Sequence, residues 1–170
     1  GIRMLLPEEG LFVRGDLSIR GGTLEADANQ NISLFGSWFH TGGKFLPGVG
    51  TVVLIGNGSY ISGNNTFFNL TKTVDRNREV LTVEPNTTQI INGMLTLTGN
   101  ACNLLQIRSA EVGTEWNLHV LGQSLLQSID VSGVVLTGKQ LTCTDECIDR
   151  DERYGESFAR QNCAFSKDVC

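Results

Sequence analysis

Charged residues, prolines and long apolar runs are all scarce in this 170-residue sequence. Charged residues make up 18% of the chain, against about 25% in an average soluble domain. No apolar run approaches the roughly 18 residues that a membrane-spanning helix needs, so we predict no membrane span. The net charge of −5 argues against a nucleic-acid partner, because proteins that bind nucleic acids carry clustered Lys and Arg.

Recognisable catalytic motifs are also missing. The sequence contains neither a Gly-x-Ser-x-Gly elbow nor a glycine-rich phosphate-binding loop. His40 and His119 are the only histidines, the residue best suited to acid–base chemistry near neutral pH, and neither stands beside a nucleophile motif. We therefore predict a protein without catalytic residues, cofactor or metal site, with both histidines at the surface.

Composition divides the chain into three segments. Residues 143–170 hold 11 of the 31 charged side chains and four of the five cysteines. We therefore expect a charged, disulfide-bearing appendix over residues 142–170, which follows a body over residues 10–141. Residues 1–9 form a separate N-terminal segment, because Pro7 divides the apolar start of the chain from the body.

The body has the pattern of an all-β chain. Apolar and polar residues alternate over many short runs, for example over residues 95–97, 116–120 and 129–131. A period of two is typical of strands with one buried face. Gly and Asn occupy most of the gaps, and both residues tolerate the backbone conformations that corners require. No helical period is evident before residue 142.

Repetition indicates how these strands are arranged. Segments of about 20 residues resemble one another, and each begins with Gly, as over residues 22–26, 43–47 and 93–97. Asn is frequent at the expected corners, where its side chain can form hydrogen bonds between successive coils. We therefore predict a parallel β-helix (solenoid) of about six coils over residues 10–140, with a small cysteine-containing C-terminal cap. A β-sandwich is the alternative.

The repeats also carry a family resemblance. Residues 31–38 read Asn-Ile-Ser-Leu-Phe-Gly-Ser-Trp, residues 50–56 read Gly-Thr-Val-Val-Leu-Ile-Gly, and related runs continue over residues 104–131. These segments resemble the repeats of large secreted and surface bacterial adhesin-like proteins, which form right-handed parallel β-solenoids. The resemblance covers roughly residues 10–138. It implies an exported bacterial protein, extracellular or on the cell surface, with a scaffolding role.

The cysteines of the appendix are candidates for disulfides. Cys143, Cys147, Cys163 and Cys170 allow three connectivities in a secreted protein, and a structural zinc site or free thiols are the alternatives. Cys102 is expected to be a small buried residue, and a cross-link to a neighbouring chain is the alternative.

A helix start and a cation site are the other possibilities in the appendix. Thr142 and Asp145 have the spacing of a helix start, which would place Cys143 and Cys147 one turn apart on a short helix. Calcium binding by Asp145, Asp149 and Asp151 is a further alternative, although their spacing is not that of an EF-hand.

The ends of a solenoid need covering, because its terminal coils expose unpaired backbone groups. Ile2, Met4, Leu5 and Leu6 form an apolar segment that can be donated as a strand to a neighbouring copy. We therefore expect a non-enzymatic structural protein that associates with copies of itself through its solenoid ends, into a fibre or a surface layer.

Two other functions stay open. An adhesin module would bind a glycan or a host protein along its flank, with Trp38 and Trp116, or Phe39 and Tyr60, as the aromatic candidates. A β-helix carbohydrate-active enzyme would need paired carboxylates on one exposed face.

Two short motifs have simpler interpretations. Arg14-Gly15-Asp16 is read as a turn before a strand rather than as an integrin-binding tripeptide. Asn-x-Ser/Thr occurs at five positions, and we predict that these reflect a chain rich in Asn and Thr rather than glycosylation. The five positions are Asn31, Asn57, Asn64, Asn69 and Asn86.

Overall fold

Most of the short alternating segments form β-strands, and each strand pairs in parallel with one from the next turn of the chain. The computed structural model describes residues 2–27, 29–74, 78–100, 102–151 and 158–160. Within these residues the chain contains no helix and winds into a parallel β-solenoid of about seven turns. The predicted solenoid is confirmed. The alternative β-sandwich is wrong, because its sheets are antiparallel and all strands named below pair in parallel.

The strands form three faces, and a complete turn contributes one strand to each face. Face 1 contains β2 (Leu11–Val13), β5 (Ile32–Leu34), β8 (Thr51–Leu54), β11 (Asn69–Thr73) and β14 (Met94–Thr98). Face 2 contains β3 (Leu17–Ile19), β6 (Trp38–His40), β9 (Ser59–Ile61), β12 (Val80–Val83) and β15 (Leu105–Ser109). Face 3 contains β1 (Arg3–Leu5), β4 (Thr23–Glu25), β7 (Lys44–Leu46), β10 (Asn65–Phe67), β13 (Thr88–Ile91), β16 (Trp116–Val120) and β18 (Val134–Gly138).

Two long strands join faces 1 and 2 near the C-terminal end. β17 (Gln123–Val131) and β19 (Leu141–Asp149) each run through the corner between these faces. β17 turns at Ser128, whose φ is 50°, and β19 turns at Asp145, whose φ is 61°. β20 (Phe158–Arg160) pairs with the start of β19.

The turns differ in length, although the strands remain in register. Paired residues are 20 or 21 positions apart in the first turns, as for Arg3 and Thr23 or Leu11 and Ile32. The separation reaches 29 positions between Ile91 and Val120, and it falls to 18 between Leu118 and Leu136. The extra residues lie in the corners, so the strands stack over one another throughout.

The core consists of columns of inward side chains, one from each turn. One column on face 1 contains Leu34, Leu54, Lys72, Leu97, Leu126 and Cys143. All six side chains are buried, and Lys72 is the charged member of this otherwise apolar column. An aromatic cluster fills another part of the core, where the ring centroid of Trp38 lies 4.8 Å from that of Phe45 and 5.3 Å from that of Phe67.

Asparagines at the corners bond to the next turn, as the sequence predicts. The side-chain oxygens of Asn31, Asn64 and Asn69 accept hydrogen bonds from backbone N–H groups 20 to 25 positions later, at distances of 2.7–2.8 Å. Close stacking also requires glycine at some corners. At Gly63 the φ is 73°, and an added Cβ would lie 2.0 Å from the carbonyl oxygen of His40.

The structure departs from two expectations near the C-terminus. β19 begins at Leu141 and continues the solenoid, so the change in composition at residues 141–142 is not a boundary of the fold. Cys143 and Cys147 lie on this strand rather than on a short helix, because their side chains extend the inward columns above Leu126 and Ile129.

Within the described residues, the structure contains no helix that is long and apolar enough to cross a membrane.

Candidate functional site

Three strands have an open edge in the first turn that the structure describes. β1, β2 and β3 each have a strand neighbour on one side only, among the residues that the structure describes. β1 pairs with β4 of its own chain, so the segment predicted to be donated to a neighbour is the first strand of its own face 3. An open edge carries unpaired N–H and C=O groups, which are available to a further strand.

Large apolar side chains surround these edges. Ile2 is 84% exposed, Met4 52%, Leu5 54% and Phe12 59%. We call these four residues, together with the open edges of β1 to β3, the N-terminal end surface. Leu6 differs from the other predicted self-association residues, because it is buried at 5% exposure.

The backbone of Phe12 shows which groups are available at this edge. Leu11 donates its N–H to the carbonyl of Asn31 at 2.8 Å, and Val13 accepts from the N–H of Phe35 at 2.9 Å. Since backbone groups point alternately to the two sides of a strand, the N–H and C=O of Phe12 point away from β5. They are therefore oriented towards the open edge.

A disulfide occupies the core of the last complete turn. Cys143 and Cys147 are bonded to each other, with their Cα atoms 6.3 Å apart. Cys143 is 2% exposed and lies over Leu126, while Cys147 lies over Ile129. The bond excludes the zinc alternative for these two residues.

The other cysteines are only partly within the described residues. Cys102 is exposed and disulfide-bonded, so the expectation that it is a small buried residue is wrong. Cys163 and Cys170 lie outside the described residues.

The two tryptophans lie in the core rather than on a glycan-binding surface. Trp38 has no exposed surface and Trp116 is 3% exposed. Neither indole can stack on a sugar from solvent. The alternating pattern could have predicted the burial of Trp116, because Trp116, Leu118 and Val120 share one buried face of β16.

Buried amides connect the turns around Trp38. The Trp38 indole N–H donates to Asn65 Oδ1 at 2.8 Å, and His40 Nδ1 lies 2.9 Å from the same oxygen. Asn65 in turn donates to Gln89 Oε1 at 2.9 Å. The network lies next to the position where the face 3 sheet is interrupted between β7 and β10. The His40 side chain therefore contributes to the contacts between turns.

An Arg–Asp–Arg cluster ties three turns together on the outside of face 2. Asp130 is 2% exposed and accepts hydrogen bonds from Arg150 Nε at 2.7 Å and Arg150 Nη2 at 2.6 Å. Arg108 Nη2 lies 2.8 Å from the same carboxylate. Burial alone raises the pKa of Asp130, but hydrogen bonds from Arg150 and Arg108 outweigh that effect and hold the pKa below its ordinary value.

An open cleft of about 310 Å³ lies next to this cluster, at the corner between faces 2 and 3. It is enclosed by the connection between β15 and β16, the corner at Ser132 and Gly133, and Asp151. Arg108 forms part of its wall. The cleft was not apparent from the sequence, because the corner loops that form it have no periodic signal.

Several other candidate residues have structural partners. Asp16, the last residue of the Arg-Gly-Asp tripeptide, accepts the N–H of Ser37 at 2.7 Å. His119 points outward as predicted, and its Nδ1 lies 2.9 Å from Thr137 Oγ1. Both residues therefore contribute to the contacts between turns.

The three aspartates of the calcium alternative are not brought together around a common point. Asp145 accepts a hydrogen bond from Gln127, and Asp151 accepts one from the N–H of Gly133. Asp149 accepts one from the N–H of Asp151 at 3.1 Å. Across the described part of the chain, no group of three or more His, Cys, Asp or Glu side chains is placed to hold a metal ion.

No protein-family model, curated protein or solved structure matches this chain. The solenoid is therefore a finding of the structure, and the resemblance to adhesin-like repeat proteins stays a prediction.

Proposed function

We propose that this chain is a non-enzymatic structural protein of the cell exterior, which assembles with copies of itself through the ends of its solenoid. The N-terminal end surface carries this proposal. It combines three open edges with four exposed apolar side chains, and such edges are templates for pairing with another chain. Large exposed apolar side chains beside such edges favour association with another chain.

Head-to-tail stacking suits the geometry of face 3. β1 has an open edge at the N-terminal end, and β18 is the last strand of the described face 3 at the other end. Because all strands of a face run in the same direction, β1 of one copy can continue the ladder beyond β18 of the next. The same stacking would bury Met4 and Leu5, which are now half exposed.

The cysteines support the proposed location. Cys143, Cys147 and Cys102 are all disulfide-bonded, and structural disulfides persist mainly in oxidising compartments outside the cytosol. The adhesin-like resemblance supports the same location, and it extends the proposal to a fibre or surface layer.

The proposal is tested on the purified full chain by light scattering coupled to size-exclusion chromatography and by negative-stain electron microscopy. We expect filaments or stacked oligomers. Replacing Met4 and Phe12 by Lys places charge on the N-terminal end surface, which should shift the protein to monomers. Leu125→Lys is the matched control, because Leu125 is 42% exposed on the flank of face 1 and its replacement should leave assembly unchanged.

Two results would contradict the proposal. One is a wild-type protein that stays monomeric at high concentration. The other is assembly that persists in the Met4→Lys, Phe12→Lys variant while circular dichroism shows native β-structure.

A further inference from the structure

We propose that the flank of the solenoid carries a binding site for a short oligosaccharide, formed by the cleft at the β15–β16 connection and the Phe39–Tyr60 ring pair on face 2. This site is independent of the proposed assembly, because it lies on the side of the solenoid rather than at its end.

The cleft is large enough for a small ligand. Its volume of about 310 Å³ lies at the lower end of the range of roughly 300–1,000 Å³ that is usual for small-molecule sites. The cleft is open to solvent, so an oligosaccharide that is longer than the cleft can extend out of it. Val112, in the connection between β15 and β16 that lines the cleft, is fully exposed.

The loop that forms the cleft is held in one shape by its own hydrogen bonds. Ser109 Oγ lies 2.7 Å from Thr114 Oγ1, and Thr114 Oγ1 donates to the carbonyl of Glu111 at 2.6 Å. The N–H of Thr114 reaches the same carbonyl at 3.2 Å. A wall that is already ordered loses little conformational entropy when a ligand binds.

The lining offers both donors and acceptors of hydrogen bonds. Its polar side chains are Arg108, whose guanidinium is bound to Asp130, the hydroxyls of Ser109 and Thr114, and the carboxylates of Glu111 and Asp151. A sugar presents adjacent hydroxyls that each donate and accept, so a mixed lining of this kind matches it better than a lining of one charge. A few placed polar groups are sufficient to fix the orientation of such a ligand.

An aromatic pair continues the site along face 2. The ring centroids of Phe39 and Tyr60 lie 5.7 Å apart, and both residues are half-buried. Tyr60 pairs in register with Thr82, and Thr82 pairs with Arg108 at the cleft. Tyr60 and Arg108 of the cleft wall are thus two turns apart in one outward column, about 10 Å at the usual strand spacing, and Phe39 lies one turn further from the cleft.

Glu111 also acts electrostatically on Tyr60. Burial raises the pKa of the Tyr60 hydroxyl, and the charges of Glu84 and Glu111 raise it further. Glu111 belongs to the cleft lining, so it acts on both parts of the site. Rings that present an apolar face and a polar edge provide a stacking surface for the apolar faces of sugar rings.

The test uses the full chain on an array of short oligosaccharides of β-linked glucose, β-linked N-acetylglucosamine, galactose and mannose, followed by calorimetric titration of those that bind. We expect at least one class to bind. Tyr60→Ala and Glu111→Gln should each weaken its binding by roughly tenfold or more, and Tyr60→Phe should retain it because the ring remains.

Phe35→Ala is the control, since Phe35 is an aromatic residue at 44% exposure whose ring contacts Phe12 rather than the proposed site. The Phe35→Ala variant should bind the oligosaccharide with the same affinity as the wild type. The proposal is overturned if no array sugar binds at millimolar concentration, if Tyr60→Ala and Glu111→Gln bind as well as the wild type, or if Phe35→Ala alone abolishes binding. Filament formation is measured separately, so failure here leaves the proposed assembly standing.

Discussion

Lys72 and Glu79 form an ion pair inside the solenoid, between β11 and β12. The Lys72 side chain has no exposed surface, and the Glu79 side chain is 7% exposed. The ammonium group also donates to the carbonyl of Gly56 at 2.5 Å. Lys72 lies between Leu54 and Leu97 in its inward column, so the pair replaces an apolar contact at this level of the core.

Removing one member of this pair should be costly. Glu79→Leu leaves the buried ammonium of Lys72 without its carboxylate, which should lower the free energy of unfolding by about 3–5 kcal/mol. The measurement is urea denaturation followed by circular dichroism.

The double variant Lys72→Met, Glu79→Leu is the matched control, because a buried ion pair and well-packed apolar side chains are often similar in stability. We expect it to recover most of the loss. A double variant that is as unstable as Glu79→Leu would show that the pair itself stabilises this level of the core.

The Arg–Asp–Arg cluster predicts a dependence of stability on acid pH. The folded-state pKa of Asp130 lies below its ordinary value of 3.8, so its contribution is fully present above that value and is lost as the pH falls through the folded-state pKa. Asp130→Asn should lower the free energy of unfolding by about 2 kcal/mol at neutral pH. The difference from the wild type should shrink below pH about 4.

Urea titrations at several pH values measure this difference. Asp27→Asn is the control, since Asp27 is exposed and its replacement should leave the stability nearly unchanged. A constant difference between Asp130→Asn and the wild type at all pH values would contradict the assignment.

The disulfide in the last turn should stabilise the C-terminal end of the solenoid. It closes a short loop, because its cysteines are four positions apart. Loop-closure entropy for such a loop corresponds to about 2 kcal/mol. The variant Cys143→Ala, Cys147→Ala should lose about that amount, together with the packing of two inward side chains.

Thermal unfolding of this variant and the wild type, both without reductant, isolates the effect of this bond. Reductant would also break the bond of Cys102. An unchanged midpoint would show that β19 is held by its strand pairing alone.

Much of the fold follows from the sequence, because the alternating pattern and the corners are local signals. Leu95 and Leu97 point inward and Thr96 points outward, as a period of two requires. The corner bonds of Asn31 and Asn69 follow from the same regularity. Loosely repeated segments of about 20 residues were sufficient to distinguish stacked parallel turns from a sandwich.

Other features depend on contacts between distant parts of the chain. The alternating pattern places Lys72 inward with Leu70. The ion pair forms only because Glu79, directly before β12, lies inside the solenoid next to Lys72. The run from Thr142 to Cys147 has a local signal for a helix start, and pairing with β17 overrides it. The cleft depends on how three corner loops meet, which no local pattern encodes.

The unequal lengths of the turns have a consequence for protein engineering. The corner before β16 accommodates a longer connection than its counterparts in the first turns, and the strands on either side keep their pairing. A foreign peptide grafted at Val112 would therefore be displayed from a corner of the solenoid, at a position along the axis set by the turn that carries it. Several such grafts at equivalent corners would be spaced along the axis in steps of one strand separation.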